Sequence, residues 1–257
     1  MPRRPAIVTL LTDFGTADTY VGQMKGVILA RCPGARIVDL THEVPAGDVR
    51  EAAFALASAV GAFPPGTVHV AVVDPRVGTA QRRLAVRAAR AGFFLAPDNG
   101  LLGPALAGLE VNEVRELPTE GASATFHGRD VFARAAAHLA AGRSFARLGP
   151  RVEDIARGSF PRPRRTAGGL SAEVVHVDGF GNLVTNLLPR DLPPGGVVFR
   201  VGRSRVKGLS RTYGDVLPGK LLALVGGHGF VEIAVGGGSA ARRLKARRGA
   251  KVRVTGG

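Results

Sequence analysis

The sequence predicts an α/β N-terminal domain, a central sheet flanked by helices, followed by a smaller all-β, barrel-like C-terminal domain. In the first half, short apolar runs alternate with segments whose apolar residues recur at helical spacing. In the last third, only short runs separated by glycine and proline turns remain. Between them, GSFPRPRRTAGG at 158–169 lacks apolar periodicity, which is typical of an interdomain connection. We therefore predict domains at 1–165 and 169–257.

The N-terminal elements follow from the spacing of apolar residues. The run 7–11 is short, β-branched and apolar, which predicts a buried strand, and 20–30 has helical spacing. The same criteria predict further strands at 37–40, 68–73, 84–86 and 93–96, and helices at 48–59 and 131–141. Alternating strands and helices favour a sheet covered by helices.

The C-terminal elements are short apolar runs bounded by turn residues. They are AEVVHVD at 172–178, GVVFRVG at 196–202, LLALVG at 221–226, FVEIAVG at 230–236 and AKVRVTG at 250–256. No long helical pattern lies between them. Several short strands at this spacing predict a small sandwich or barrel.

Composition and charge narrow the possible functions. The 257 residues are 45% hydrophobic and 21% charged, as in an ordinary globular protein, and the net charge is +15. A positive charge of this size favours binding to polyanions, but the basic residues are scattered, with small clusters at 162–165 and 241–248. Aromatic residues, on which bases could stack, make up only 5%. We therefore expect a solvated basic surface rather than a nucleic-acid site.

Other residue classes point to a protein without metal or bound cofactor. The single Cys32 excludes an intrachain disulfide framework, and no Cys/His/Asp cluster has metal-ligand spacing. The apolar runs are too short to span a membrane. We predict a cytoplasmic protein without membrane association.

Polar residues and glycines follow several predicted strands directly. Asp13 and Asp18 lie in the connection after the run 7–11, where ligands bind in open α/β sheets. Asp18 or Thr19 alternatively caps the following helix. Four further stretches share this character: VVDPRVGTAQRR at 72–83, APDNGLLG at 96–103, TFHGRDVFARAAAHLAAG at 125–142 and VDGFGNLVTNLL at 177–188. Each alone has a structural explanation: turn chemistry in DPRVG and PDNG, an ordinary loop histidine at His127, and a left-handed turn at Asn182.

Together with LLTDFGTADTYVGQMKGV, DLTHEVPAGDV and GFVEIAVGGGSAA, these stretches make the chain resemble the S-adenosylmethionine hydroxide adenosyltransferase family from about residue 7 to 241. This family is related to the fluorinating and chlorinating enzymes. The resemblance implies hydrolysis of S-adenosylmethionine to adenosine and methionine, with no cofactor. It also implies a homotrimer whose sites lie between the N-terminal domain of one subunit and the C-terminal domain of its neighbour.

The resemblance also implies roles for individual residues. Asp74 and His127 match the residues that surround the attacking water, where the halogenating relatives carry tyrosines, so hydrolysis is favoured over halogenation. Asp13 matches the residue that binds the ribose hydroxyls, and Asp18 lies where the methionine amino group is held. The remaining substrate-binding residues implied are in the second domain: Asp178, Phe180, Asn182, Tyr213, Glu232 and Val235.

One departure from the family pattern affects the catalytic set. The family has an arginine seven residues after the aspartate, where this chain has Gln81. Arg82 or Arg83, Arg76 from the other side, or Gln81 itself are the possible replacements, and the sequence leaves them open. A family serine is Gly227 here, so a protein that binds S-adenosylmethionine or adenosine with little turnover is the alternative, ahead of a halogenase.

Overall fold

The protein is described here by a computed structural model that covers residues 6–156, 158 and 160–257. The chain divides after Phe160 into two compact units, as the sequence predicts for a two-domain protein. Among these residues, no helix has both the length and the apolar character needed to cross a bilayer.

The first unit is built on a seven-stranded sheet in the order β2-β1-β3-β5-β4-β6-β7. Its strands are β1 (Ile7–Thr12), β2 (Arg36–Thr41), β3 (Thr67–Val72), β4 (Arg83–Ala88), β5 (Gly92–Pro97), β6 (Val111–Glu116) and β7 (Arg151–Val152). The neighbours β2, β1, β3 and β5 are parallel, whereas β4, β6 and β7 pair antiparallel. The loops that follow the four parallel strands therefore gather at one edge of the sheet, together with the start of β4.

Helices cover both faces of this sheet: α1 (Tyr20–Arg31), α2 (Val49–Val60), α3 (Gly103–Leu106) and α4 (Ala133–Ala140). On one face, Met24 and Ile28 of α1 belong to a buried cluster with Leu10 of β1. On the other face, Leu56 of α2 packs in a cluster with Leu11. Each fully buried aliphatic side chain of this kind contributes roughly 1.5–3 kcal/mol. The alternation along β1 thus attaches a helical layer to each side of the sheet.

Two helices differ slightly from their predicted bounds for local reasons. Asp48 is the N-cap of α2, since its Oδ1 accepts a hydrogen bond from the Glu51 amide at 3.0 Å, so the helix begins one residue later. The predicted helix 131–141 is entered through a π-helical turn at Gly128–Phe132, which continues into α4. This turn carries the GRD residues of the FHGRD motif.

The second unit is an eight-stranded antiparallel sheet in the order β12-β11-β15-β9-β10-β14-β13, with β8 paired to β9. The strands are β8 (Arg164–Thr166), β9 (Gly169–Val177), β10 (Leu183–Thr185), β11 (Val197–Val201), β12 (Ser204–Lys207), β13 (Leu221–Val225), β14 (Val231–Val235) and β15 (Lys251–Gly256). The Ser210 amide after β12 donates to the Ala223 carbonyl of β13 at 2.7 Å. The two ends of the strand order therefore meet, in partial agreement with the predicted barrel-like domain.

The second unit differs from the prediction in where it starts, in one short helix and in three strands that were not predicted, β8, β10 and β12. Because β8 pairs with β9, residues 164–166 belong to this unit, and the structural division lies earlier than the predicted limits of 165 and 169. A short helix, α5 (Ala240–Leu244), interrupts the all-β pattern. It begins at Ser239, whose Oγ accepts from the Arg242 amide at 3.2 Å.

Candidate active site

Asp13 and Asp74 lie at the edge of the first sheet where the parallel strands end. Asp13 follows β1, and its Oδ2 accepts a hydrogen bond from the Gly47 amide at 2.8 Å. Gly47 has φ +70°, and a Cβ there would stand 3.4 Å from the Pro75 side chain. The Asp13 carboxylate and the 74–75 turn therefore share Gly47 as a neighbour.

The loop that carries Asp13 is fixed by the loop after β2. The Thr12 hydroxyl and His42 Nδ1 are 2.8 Å apart, and both residues are buried. The Gly15 amide donates to the His42 carbonyl at 2.8 Å. His42 thus positions the turn on which Asp13 stands, without itself being part of the predicted set.

Asp74 is held through one of its two carboxylate oxygens. Its Oδ1 accepts the Gln81 side-chain amide at 2.7 Å and the Arg76 main-chain amide at 3.1 Å. Gln81, which stands in the sequence where the family pattern has an arginine, therefore contacts Asp74 directly. Because both donors engage Oδ1, Oδ2 is the oxygen that remains for a ligand.

Of the arginines considered as replacements, Arg82 pairs with other carboxylates and Arg76 contacts Asp74 through its main chain. Arg82 forms ion pairs with Asp154 and Asp98, at 2.9 Å and 2.6 Å, and these hydrogen bonds raise its pKa. Asp98 also accepts from the Ala156 amide at 2.7 Å, so this group stabilises the loop after β5. Arg76 is exposed and serves Asp74 only through its main-chain amide.

Arg83, the first residue of β4, lies near both Glu116, whose Oε1 is 3.8 Å from Nη2, and His127. Its side chain is only 12% exposed, and Nη1 donates to the Gln81 carbonyl at 2.6 Å. Its Nε is buried and has no hydrogen-bond partner within the described part of the chain. The Arg83 guanidinium is close enough to lower the pKa of His127.

His127 is 5% exposed, and its Nδ1 has no hydrogen-bond partner among the residues described. Burial is the largest cause of its lowered pKa, and the charge of Arg83 adds to it, while Asp74 and Asp130 act in the opposite direction. The imidazole is therefore neutral at pH 7, and one of its ring nitrogens can accept a proton. Asp74, Arg83 and His127 form one electrostatically coupled group.

The residues after His127 hold its loop in place. Asp130 accepts the Ser123 amide at 3.0 Å and two hydrogen bonds from Arg129, at 2.8 Å and 2.9 Å. The pKa of Asp130 is lowered to about 2, and the hydrogen bond from Arg129 is the largest cause. Arg129 also stacks over the Phe126 ring, with Cζ 4.9 Å from its centroid.

An aromatic wall that the sequence analysis did not identify stands beside this group. Phe14, Tyr20 and Phe126 meet edge to face, with ring centroids 5.2–6.0 Å apart. A Cβ at Gly128 would lie 3.1 Å from Phe14 and 3.2 Å from Met24. At this position, any residue larger than glycine would have to displace one of these neighbouring side chains. The phenylalanines within the TDFG and FHG motifs, and Tyr20 at the start of α1, are the sequence signal that could have identified it.

In the second unit, the turn between β9 and β10 is organised by Asp178. Its Oδ1 accepts the amides of Phe180 and Asn182, at 3.0 Å and 2.8 Å, and its Oδ2 accepts the Asn182 side-chain amide at 2.9 Å. The Asn182 side-chain oxygen is left for other donors. Phe180, at the tip of the turn, is 84% exposed.

Glu232 and Tyr213 lie near this turn. Glu232 is 2% exposed, although its place in a strand resembles that of a solvated residue. It accepts a hydrogen bond from the Tyr213 hydroxyl and lies 3.1 Å from His228 Nε2. Burial, then the bond to Glu232, raises the pKa of Tyr213 to about 12, and Asp178 is close enough to add to this effect.

Of the predicted site residues, the fold brings two groups together, one in each unit. In the first, Asp13 and the 74–75 turn share Gly47 as a neighbour, and Asp74 is electrostatically coupled to His127. In the second, Asp178 binds Asn182, Tyr213 binds Glu232, and Asp178 is close enough to act on the pKa of Tyr213. Asp18 is exposed, and the N-cap of α1 is Thr19, which has no side-chain capping bond. Val235 is buried at the end of β14. The described residues contain no group of three or more His, Cys, Asp or Glu side chains that could hold a metal ion.

Comparison with known proteins identifies relatives over nearly the whole chain. Residues 8–149 match the SAM hydroxide adenosyltransferase N-terminal domain, and residues 172–253 match the C-terminal domain. The chain is 45% identical to the (R)-S-adenosyl-L-methionine hydrolase of Salinispora tropica, over 97% of this chain and 98% of that protein. It is 34% identical to a fluorinase of Actinoplanes sp., over 76% of each chain. The solved structure of an uncharacterized conserved protein from Thermotoga maritima superposes with a TM-score of 0.89 at 36% identity, covering 96% and 99% of the two chains.

Proposed function

The chain belongs to the SAM hydroxide adenosyltransferase family, and on that premise we propose that it is an enzyme that hydrolyses S-adenosyl-L-methionine to adenosine and L-methionine. The name of the Salinispora relative leads us to propose the (R) epimer at sulfur as the preferred substrate. S-Adenosylmethionine is the substrate, and the reaction needs no further cofactor.

The observation that supports this proposal most directly is the state of His127. Its Nδ1 is buried without a partner within the described chain, next to a carboxylate whose Oδ1 is already engaged by Gln81. A water molecule that donates to Asp74 Oδ2 or to the imidazole would satisfy these groups. A buried, neutral imidazole and an ionised carboxylate are groups that can align and partly deprotonate such a water.

The reaction is a displacement at the ribose C5′ carbon. The water oxygen forms a bond to C5′ as the bond from C5′ to sulfur breaks, and that electron pair stays on sulfur, which becomes the neutral thioether of methionine. The water loses one proton to Asp74 or His127, from which it passes to solvent. Because the leaving group is neutral, no acid is needed, and the protein must supply the aligned water and a fixed sugar.

Halide transfer is disfavoured by two features. The Asp74 carboxylate would repel an anion at the position where we place the water. In the resembling fluorinating enzyme, a serine binds the halide at the position that is Gly128 here. A side chain at this position would have to displace Phe14 or Met24, because its Cβ would lie 3.1 Å from Phe14 and 3.2 Å from Met24. A binding protein with little turnover is the remaining alternative, because Gln81 supplies an amide where the family pattern has a guanidinium.

Substrate binding is proposed for the other predicted residues. Asp13 receives the ribose hydroxyls on the carboxylate oxygen that Gly47 does not use, and Asp18 receives the methionine amino group. We propose a cytoplasmic homotrimer in which the second unit of a neighbouring subunit completes each site. The residues it contributes are Asp178, Phe180, Asn182, Tyr213, Glu232 and Val235.

The deciding experiment is a chromatographic assay of the purified protein with the separated (R) and (S) epimers of S-adenosylmethionine, with and without chloride or fluoride. We expect adenosine and methionine at a rate independent of halide and faster for the (R) epimer. In water enriched in ¹⁸O, the label should enter the 5′-hydroxyl of adenosine and not methionine. A halogenated nucleoside would contradict hydrolysis, and calorimetric binding without product would establish the binding protein instead.

The Asp74→Asn variant tests whether the charge of Asp74 is needed for catalysis. It keeps the shape and the amide contact to Gln81 but removes the charge, so we expect at least about tenfold lower kcat with the fold retained. Asp13→Ala should instead raise KM more than it lowers kcat, because ribose anchoring is lost in ground and transition states alike. An unchanged kcat in Asp74→Asn would remove this residue from the mechanism.

A further inference from the structure

Four arginines that are far apart in the sequence form one row across the second sheet. Arg200 of β11 pairs directly with Arg205 of β12 on one side and with Arg253 of β15 on the other. Arg253 pairs with Ser171 of β9, and Ser171 pairs with Arg164 of β8. Directly paired residues lie on the same face of a sheet. The row, defined here as Arg164, Arg200, Arg205 and Arg253, therefore crosses five adjacent strands.

This row lies on the outer face of the sheet. The residues that alternate with it along the strands, including Phe199, Val206 and Val252, are buried in the core of the unit. All four arginines are exposed, and Lys207 and Lys251 share their face. Glu173 is the one acidic residue at the outer positions of these described strands, and it is bound to Lys251 at 2.5 Å.

Such a row is unfavourable for folding. Like charges directly opposite each other on neighbouring strands are destabilising. None of the ion pairs found among the described residues includes an arginine of the row. The repulsion is therefore not relieved within this part of the chain, and an external polyanion would relieve it.

We propose that this arginine row binds nucleic acid through its phosphates, independently of sequence. Strands lie about 4.8 Å apart, so five strands place guanidinium groups along roughly 19 Å, a length over which a nucleic-acid strand carries several phosphates. The guanidinium group is suited to phosphate because its planar fork can donate two hydrogen bonds to it. No aromatic side chain stands in the row, so bases are not stacked and affinity comes from the backbone.

Other polyanionic surfaces fit this face less well. An interfacial membrane site needs apolar side chains that enter the lipid, but the outer-face valines Val175 and Val198 are each only 6% exposed. A stable protein interface has an apolar or aromatic centre, which the row lacks as well. The basic residues look scattered in the sequence, and only strand pairing brings these four together.

The test measures binding of the full-length protein to a fluorescently labelled 20-nucleotide RNA of mixed sequence, and to DNA of the same sequence, by polarisation. Potassium chloride is varied around 0.15 M. The row variant R200Q/R205Q/R253Q is compared with R36Q/R143Q/R147Q, which removes three exposed arginines from the first unit and thus the same net charge. We expect the row variant to bind at least about tenfold more weakly and the salt dependence to fall by about two units in its logarithmic slope.

The control variant should lose less than about threefold in affinity, since its arginines do not form a row. Equal losses in both variants would show diffuse attraction by the net charge and would overturn the proposal. So would displacement of the RNA by polyglutamate as effective as by unlabelled RNA, because the partner would then be an acidic protein. Altered assembly or lost hydrolysis in the row variant would assign the row to a subunit interface or substrate site instead.

A second measurement separates binding from folding. Arg200→Thr removes the central charge of the row and introduces a residue that suits strands. We expect its thermal midpoint to rise while its affinity for RNA falls. A lower midpoint would mean that Arg200 supports the sheet and is not held there at a cost in stability.

Discussion

At Asp74, two donors take one carboxylate oxygen and leave the other open. Gln81 and the Arg76 amide both bind Oδ1, so the carboxylate is oriented without a guanidinium in contact with it. Arg83 supplies the positive charge of the site, but beside His127. We propose that Gln81 orients the Asp74 carboxylate and that Arg83 supplies the positive charge, two roles that the family pattern gives to one arginine.

This division predicts a change in pH dependence when Arg83 is replaced by glutamine. A nearby cation disfavours the imidazolium form, so its removal should raise the pKa of His127. If neutral His127 is needed, the acidic limb of the kcat/KM profile should move to higher pH, with a smaller change at pH 8. The value of kcat/KM is measured from pH 5 to 9, and kcat is measured separately at saturating S-adenosylmethionine.

Arg83→Lys serves as the control, because it keeps the charge while removing the planar donor group. Its acidic limb should stay near that of the unchanged protein. If Arg83→Gln lowers activity equally at every pH, Arg83 has a structural role in β4 and no electrostatic one toward His127.

At the scale of elements, the entry turn of α4 depends on a residue without a side chain. Gly128 begins the π-helical turn, and its Cα is enclosed by Phe14, Met24 and Phe126. Gly128→Ala would bring a methyl group to within 3.1–3.2 Å of these side chains. We expect a loss of roughly 1–3 kcal/mol in the free energy of unfolding, measured with urea. Gly26→Ala, in α1 with open space around its Cα, is the control and should not destabilise.

Strand β3 contains a titratable group that should make folding sensitive to acid. His69 is 1% exposed, its Nδ1 is 2.9 Å from the Thr9 hydroxyl, and burial lowers its pKa to about 4. Between pH 6.5 and 4 the unfolded chain binds the proton that the folded chain rejects, so stability falls as pH falls through this window. The loss is on the order of 3 kcal/mol.

Urea unfolding at pH 7.5, 5.5 and 4 tests this effect. His69→Gln should reduce the slope of stability against pH within that window, whereas His138→Gln, at a less buried position, should not. Parallel losses in the unchanged protein and in His69→Gln would assign the acid sensitivity to other groups.

Elements with a strong apolar period could be predicted from the sequence, and weakly periodic ones could not. The buried strands β1 and β3 and the helices α1 and α2 follow from local pattern within one or two residues. Strand β6, VNEVRE, has too few apolar residues to be recognised, and β7 is only two residues long. Glu232 fits a solvated position by alternation, yet it is buried because Tyr213 and His228 satisfy its carboxylate.

The site shows the same limit. The family resemblance implied Asp13, Asp74 and His127 as site residues, and the convergence of loops after parallel strands accounts for the closeness of Asp13 and the 74–75 turn. The partners of Gln81, Arg82 and Arg83 depend on distances of a few ångströms between side chains, which no sequence period encodes. The arginine row likewise arises from strand register between residues up to 89 positions apart, such as Arg164 and Arg253.

At the scale of the whole molecule, each unit carries only part of the proposed substrate-binding set. The first unit holds the proposed catalytic pair, Asp74 and His127, and Asp13, which we propose binds ribose. The second holds the group around Asp178 and Glu232. If neighbouring subunits of a homotrimer complete each other's sites, a defect in one unit can be complemented by a subunit defective in the other. This property distinguishes shared sites from sites within one subunit.

Coexpression of Asp74→Asn with Asn182→Ala subunits tests this arrangement. Each variant alone should be nearly inactive, since the first lacks the carboxylate and the second lacks the amide that Asp178 orients. With random assembly, a site receives an intact first unit from one subunit and an intact second unit from its neighbour with a probability of one half each. We therefore expect hydrolysis to recover to roughly a quarter of the unchanged rate, provided that light scattering shows trimers. Trimers whose activity does not exceed that of the single variants would mean that each site is built within one chain.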